Sequence, residues 1–433
     1  MPQTTTTLSG DMKNVYGEGL KNQVGQAAVL FNLFKDGSKF ATPITTIGAN
    51  GYTFGARLKR NYNMGYRPEG TTGVGTAGNQ GVAQATVVLK YAYIPNVMTG
   101  QALNLSQGQY RAFMAAKMLS IEYDTKDLLE HINVIIAGAE RGGQLAQALN
   151  TSATVIASRA SGLPGALYLN VGMPVDAYPV AGGTLTTTNN IITAITYDST
   201  AGDTVTLTTG DTLTAGDAIS QAGEGVSTTG AFPFTCEGFH SLIASTGSRQ
   251  GLNPATAGQE SWTATQDDKG GSDLTSQMID ELIQLVENRG GVNVNALFFP
   301  PAQINQLVNI ATQNLRYNVD NPSTLRKKAM DLGFSTFQYA DRTIIKDKAI
   351  RNDRIYAMDT EAMAHFVALP LAMADDEAGQ WTRLIGTSAS IVDAVGALMR
   401  IYHQIGILQR SGTGFYKGLS VPETFKTTPQ ALS

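Results

Sequence analysis

The sequence predicts an α+β protein. One long amphipathic helix, a β-rich stretch without Lys or Arg, and a later alternation of helices and strands follow one another along 433 residues. That length suits several folding units. Hydrophobic residues make up 42% of the chain, an ordinary share, but charged residues only 15%, well below the roughly 25% usual for soluble proteins. A chain so poor in charge either covers itself with Ser, Thr, Asn and Gln or buries much of its outside against neighbours. A net charge of −4 argues against a protein that grips nucleic acid through a basic surface.

Residues 1–48 form an arm with one helix. Val24, Ala27, Ala28, Phe31 and Phe34 recur at helical spacing before Gly, Thr and Pro break the pattern. Residues 49–100 form an extended two-stranded excursion. Tyr52–Lys59 and Ala83–Ile94 alternate, and a Gly-rich loop from Gly65 to Gly81 joins them.

The strongest helical signal spans 106–149, within a unit of residues 101–150. Tyr110, Phe113, Met114, Met118, Ile121, Leu128, Ile132, Ile135 and Ala139 mark one face, Ser106 is placed to cap it, and Gly138 and Gly142-Gly143 are the bend points. At 1.5 Å per residue such a helix exceeds roughly 50 Å.

Residues 151–265 change character. Between Ser161 and Ser248 there is no Lys or Arg, and Gly-Asp pairs recur at 202–203, 210–211 and 216–217. Short strands with tight turns are expected, a small all-β unit. Residues 266–375 return to mixed α/β. Asp273 is placed to cap a helix carrying Leu274, Met278, Leu282 and Leu285, Ala296–Phe299 reads as a buried strand, and Pro300-Pro301 opens a helix. Strands follow at Thr343–Ile345, Arg354–Met358 and Ala364–Val367. Residues 376–433 hold one long apolar strand, Ile391–Ile407, and then a polar tail.

Few motifs point to chemistry. Gly73-Val-Gly75-Thr-Ala-Gly78 matches a dinucleotide fingerprint, but a strand follows it and no acidic residue occurs between Glu69 and Glu122. The Gly-Asp turns lack the nonapeptide period of calcium β-rolls. Cys236 and His240 have no second ligand pair for zinc, and Cys236, the only cysteine, excludes an internal disulfide. His131, His365 and His403 each sit in apolar stretches, and Asp375-Asp376-Glu377 reads as a solvated turn. No catalytic, cofactor or metal site is predicted. No basic-then-apolar leader opens the sequence and no run of about 18 apolar residues occurs, so neither a signal peptide nor a membrane span is expected.

The candidate functional residues are Arg57, Lys59, Arg60, Tyr62, Tyr66 and Arg67. Cations interleaved with aromatics suit either single-stranded nucleic acid or an acidic protein surface, and the acidic balance of the chain favours the second. From Gly37 to Ile121 the only carboxylate is Glu69, against eight Lys and Arg, so the remainder of the chain is strongly acidic. Identical copies could then pair one region with the other.

The order of segments resembles the major capsid proteins of tailed bacteriophages with the HK97-like fold. The most family-like stretches are Val294-Asn-Ala-Leu-Phe-Phe-Pro300, Ile355-Tyr-Ala-Met-Asp359, Gly396-Ala-Leu-Met-Arg-Ile-Tyr-His403 running on to Ile407, and Gly251-Leu-Asn-Pro through Trp262. The resemblance implies an N-terminal arm, an E-loop at 49–100, a spine helix, an axial domain at 266–375 and a peripheral domain. The β-rich segment is similar to the inserted domain of P22-like coat proteins. It further implies a non-enzymatic shell subunit in the virion, assembled in the host cytoplasm as hexamers and pentamers. Its partners would be a scaffolding protein, a portal and non-specifically packaged double-stranded DNA, with a decoration protein left open. Lys59 and Lys90 lie in the loop where some relatives crosslink, but no motif marks a partner. An encapsulin-type shell, a β-rich surface or S-layer protein, and an α/β enzyme are the competing classes.

Overall fold

The structure is a computed structural model. It describes residues 28–36, 41–44, 51–61, 66, 69, 80–99, 101, 110–138, 143–149, 154–157, 162–179, 185–197, 202–208, 213–224, 234–315, 337–339, 342–375, 382–385 and 391–426. In chain order the elements begin with α1 (Val29–Asp36), β1 (Ala41–Ile44), β2 (Tyr52–Arg57), β3 (Val82–Val87), β4 (Lys90–Thr99) and α2 (Tyr110–Gly138). Then come β5 (Ala146–Gln147), β6 (Thr154–Ala157), β7 (Pro174–Pro179), β8 (Thr187–Thr196), β9 (Asp203–Leu207), β10 (Asp217–Gln221) and the short α3 (Phe239–Leu242). The third run is β11 (Thr265–Ser272), α4 (Ser276–Gly290), β12 (Ala296–Phe299), α5 (Pro301–Leu315), β13 (Phe337–Tyr339), β14 (Arg342–Lys346) and β15 (Ile355–Met358). The chain closes with β16 (Met363–Met373), β17 (Thr382–Ile385), β18 (Ile391–Ile407), β19 (Thr413–Leu419) and α6 (Glu423–Lys426).

A six-stranded mixed sheet, ordered β11-β19-β15-β12-β14-β13, divides two apolar cores. Strand side chains alternate faces. Leu297, Phe299, Ile355, Ala357 and Tyr416 therefore join α4 and α5 through Ile279, Leu282, Ile283, Val286 and Ile304. Ala296, Phe298, Tyr356, Met358 and Phe415 face the other way into a larger cluster with α2 and Phe239. A strand covered on both faces reads as a continuous apolar run, which is what Ala-Leu-Phe-Phe is.

Three details depart from the sequence reading here. Thr275, not Asp273, caps α4: its hydroxyl accepts from the Met278 N–H at 3.2 Å. Asp273 instead accepts from the Ser420 hydroxyl. Leu285 is exposed, because the buried stripe is Ile279, Leu282, Ile283 and Val286. The expected polar tail contains β19, which pairs parallel with β11 and antiparallel with β15 in mid-sheet. Its Thr, Gly and Lys hide it from a hydrophobic scan. Gly414 is small by necessity, since a Cβ there would lie 2.5 Å from Val286 Cγ2 on α4.

β18 runs Ile391–Ile407 as the sequence predicts and organises a second sheet. β4 pairs along one edge from Ala394 to His403. β17 and then β16 share the other edge, with β1 beyond β16. The expected single run Ala83–Ile94 is two strands, because the chain leaves its ladder with Tyr52–Arg57 after Val87 and joins β18 from Lys90.

α2 is shorter than the expected 106–149. Its 29 residues give about 43 Å. It ends at Gly138, where a Cβ would stand 2.6 Å from the Ala349 carbonyl oxygen, and residues 146–147 are strand. Residues 102–109 and 139–142, with the expected cap Ser106, lie outside the described residues. The arm helix α1 docks on α2 by a polar clamp: Asn133 Oδ1 accepts from Phe31 N at 3.0 Å, and Asn133 Nδ2 donates to Asp347 at 3.0 Å.

The Lys- and Arg-free stretch holds a six-stranded sheet ordered β5-β10-β7-β8-β9-β6. The Gly-Asp turns at 202 and 216 are structural. Asp203 accepts from Ala166 N at 2.8 Å, and Asp217 accepts from Thr214 N at 2.9 Å. The pair at 210–211 lies outside the described residues. Ala146, Val175, Ile192, Val205 and Ile219 belong to the same apolar cluster as α2, so this sheet is packed onto the body of the molecule.

Candidate inter-subunit loop and its surroundings

β2 and β3 form an antiparallel ribbon from Tyr52↔Val87 to Arg57↔Val82. Alternation gives it two different faces. Ala56, Ala85 and Val87 are buried, and Tyr52 lies 5.2 Å from the Phe366 ring. Thr53, Gly55, Arg57, Val82 and Gln84 face outward. The ribbon is tied at its base, where Thr86 N donates to the Gln250 carbonyl at 2.9 Å. Farther out, Leu58 N and Lys59 N both donate to the Gly81 carbonyl, and the Ser261 hydroxyl donates to the Leu58 carbonyl at 2.6 Å. The 250–262 connection thus lies alongside the ribbon, a contact that no local pattern signals.

Arg57, Lys59 and Arg60 stand exposed at the outer end, and Tyr66 is fully exposed. Tyr62 and Arg67 lie outside the described residues, as does Gly73–Gly78. The Gly258 N–H, then its own backbone N–H, and last the charge of Lys59 hold the Glu260 carboxyl below the usual range. Among the described residues this end of the ribbon is a cationic surface. Such surfaces guide the register of association more than they add affinity.

The other expectations resolve into packing. Burial pushes the Cys236 thiol up to about 12, so it is no thiolate nucleophile at neutral pH. His240 Nδ1 meets Arg354 Nη1 at 2.7 Å. His131 pairs with Glu224 at 2.7 Å. Among the described residues no group of His, Cys, Asp or Glu is arranged to hold a metal ion. No helix among them is long and apolar enough to cross a membrane. Asp375 ends its strand's exit, and residues 376–377 lie outside the described residues.

Sequence reasoning missed an outward aromatic group on the β4–β18 face. Tyr91 and Tyr93 are about half exposed, and both set their rings edge-on to Tyr402, at 4.8 and 6.0 Å. Arg400 lies 5.8 Å from the same ring. The Tyr-x-Tyr spacing was visible, but the pairing of β4 with β18 was not.

Residues 175–376 match the family model described as the SU10 major capsid protein. Over these residues the chain is similar to a tailed-phage major capsid protein. The match runs from β7 through the dividing sheet to the end of β16, so it joins the β-rich unit to the α/β unit rather than covering either alone. No curated protein matches the sequence. Among solved structures, one titled as the cyanophage A-1(L) capsid asymmetric unit is 12% identical with a TM-score of 0.55, covering 93% of this chain and 96% of that one. A Gordonia phage Cozz structure is 13% identical with a TM-score of 0.45, covering 95% and 91%. The first of these carries the fold: the chain has the HK97-like architecture.

Proposed function

We propose that this chain self-assembles, as hexamers and pentamers, into the icosahedral shell that encloses a double-stranded DNA genome, without enzymatic activity. The carrying observation is the capsid family match over 175–376 on a chain whose fold is that of a phage capsid subunit. Under this reading 1–48 is the arm, 49–100 the E-loop, 101–150 the spine region, 151–265 an inserted β unit with its connection, 266–375 the axial domain and 376–433 the peripheral return and C-terminal segment. A separate scaffolding protein, a portal and assembly in the host cytoplasm belong to the same reading.

Arg57, Lys59, Arg60, Tyr62, Tyr66 and Arg67 then contact an acidic face of the neighbouring copy. What supports this is the exposed cationic end of the ribbon together with the acidic remainder of the chain. The double change Arg57→Glu with Arg60→Glu tests it. The subunit should stay folded, while assembly into megadalton particles, followed by size exclusion and electron microscopy, should fail at low salt. Screening shortens the reach of charge to about 10 Å at 0.1 M, so salt should partly restore assembly. Normal shells at low salt would remove the loop's charge from the assembly mechanism. A monomer that never forms particles under any condition would remove the shell reading itself.

A further inference from the structure

Two of the four histidines meet in the interior. His365 on β16 and His403 on β18 place Nε2 and Nδ1 3.3 Å apart, and both side chains are only 2% exposed. Phe31 of α1 covers them, its ring edge-on to each imidazole at 5.5 and 5.8 Å. The lid is itself held from the far side. Leu30 N and Asn133 donate to Asp347 Oδ2, and Asn133 accepts from Phe31 N.

We infer that His365, His403 and Phe31 form an acid-sensitive latch which holds the arm helix on the body at neutral pH and releases it when the imidazoles protonate. Two cations 3.3 Å apart under a phenyl ring would be buried, with no carboxylate paired to them among the described residues. Lifting α1 admits water to both, so the helix is what mild acid should free.

The charged groups on the surrounding elements do not offset this. Lys90 on β4 stands opposite His403 in the ladder, and Arg400 lies farther along β18. Glu237 reaches this region through its N–H to Gln404. On α2, Glu130 is paired with Lys348 and His131 with Glu224, and on α1 Lys35 is exposed. Burial alone lowers His365 from 6.5 to about 4. Burial, then the neighbouring imidazole, lowers His403 to about 3. Both folded values lie below the unfolded one, so the latch is complete above pH 6.5 and weakens as pH falls toward 4. Asp347 works in the opposite direction. Burial raises its carboxyl above 3.8, so acid relieves rather than adds to its cost, and it is not the source of release.

Amide hydrogen exchange on the full chain at pH 7.5 and 5.0, corrected for the intrinsic rates, tests the latch. Protection of residues 29–36 relative to 128–137 should fall at least about tenfold at pH 5.0, the scale set by the shifts of the two histidines. In the double change His365→Gln with His403→Gln that pH dependence should vanish. Unchanged protection of 29–36 in the wild type, an equal loss in the Gln variant, or a uniform loss over the whole chain would each overturn the proposal. If the Gln variant fails to fold, exchange at the imidazole C2 positions of the wild type decides: titration of both histidines near or above pH 6 would overturn it.

Discussion

β12 and β2 are short strands of similar β propensity with opposite fates. Every residue of Ala296–Phe299 is buried, because helices cover one face and a second core the other. Tyr52–Arg57 alternates, with Ala56 buried and Arg57 exposed. The first strand holds the molecule together and has no surface to offer. The second spends half its side chains on solvent and on whatever solvent gives way to. A shell subunit needs both, and the difference teaches where to look for each: assembly residues on strands with one free face, stability residues on strands with none.

The comparison can be broken at its most buried point. Phe298→Ala removes a ring that lies 5.4 Å from Phe239 inside the larger core. The expected loss is about 3–5 kcal/mol, read by denaturant unfolding of the unassembled chain. A loss under about 1 kcal/mol would mean that the dividing sheet does not carry the fold.

Arg410 tests whether the buried side is purely apolar. It is fully buried by geometry, and its guanidinium donates to the carbonyls of Ala244, Thr246, Gly247 and Trp262. Burial, then Arg249, lowers it to about 10, so it stays cationic at neutral pH. Arg410→Met should cost roughly 3 kcal/mol by stranding those carbonyls, and added arginine in solution should not restore it. Gly414→Ala is smaller. Its new methyl group meets Val286, and overpacking of this kind costs about 1–3 kcal/mol, visible as a lower Tm. Thr275→Ala should remove about 1 kcal/mol through the lost cap on α4.

At the other end of the scale, Arg57→Gln should leave unfolding unchanged within about 0.5 kcal/mol and slow assembly only mildly, measured by light scattering. A large loss of stability there would show that the ribbon belongs to the core, and the contrast with β12 would collapse.

Much was legible in the amino-acid sequence because it is written in local periodicity. Ile391–Ile407 needed no more than a nearly continuous apolar run, and Ala296–Phe299 followed by Pro301 needed a buried strand and a helix start. The basic character of the loop was legible too, since charge is countable without coordinates. Partnership was not legible. β19 carries Thr, Gly and Lys and became a central strand only because β11 and β15 lie on either side of it. The break between β3 and β4 depends on two different partners, which the alternation of Ala83–Ile94 cannot express. Gly138 ends α2 through a carbonyl more than 200 residues away, and His365 meets His403 across a ladder of 38 residues' separation. The sequence by itself determined which segments could bury a face and where charge would gather; tertiary structure alone decided which face met which, because contact free energy depends on distance in space and the chain records only distance along itself.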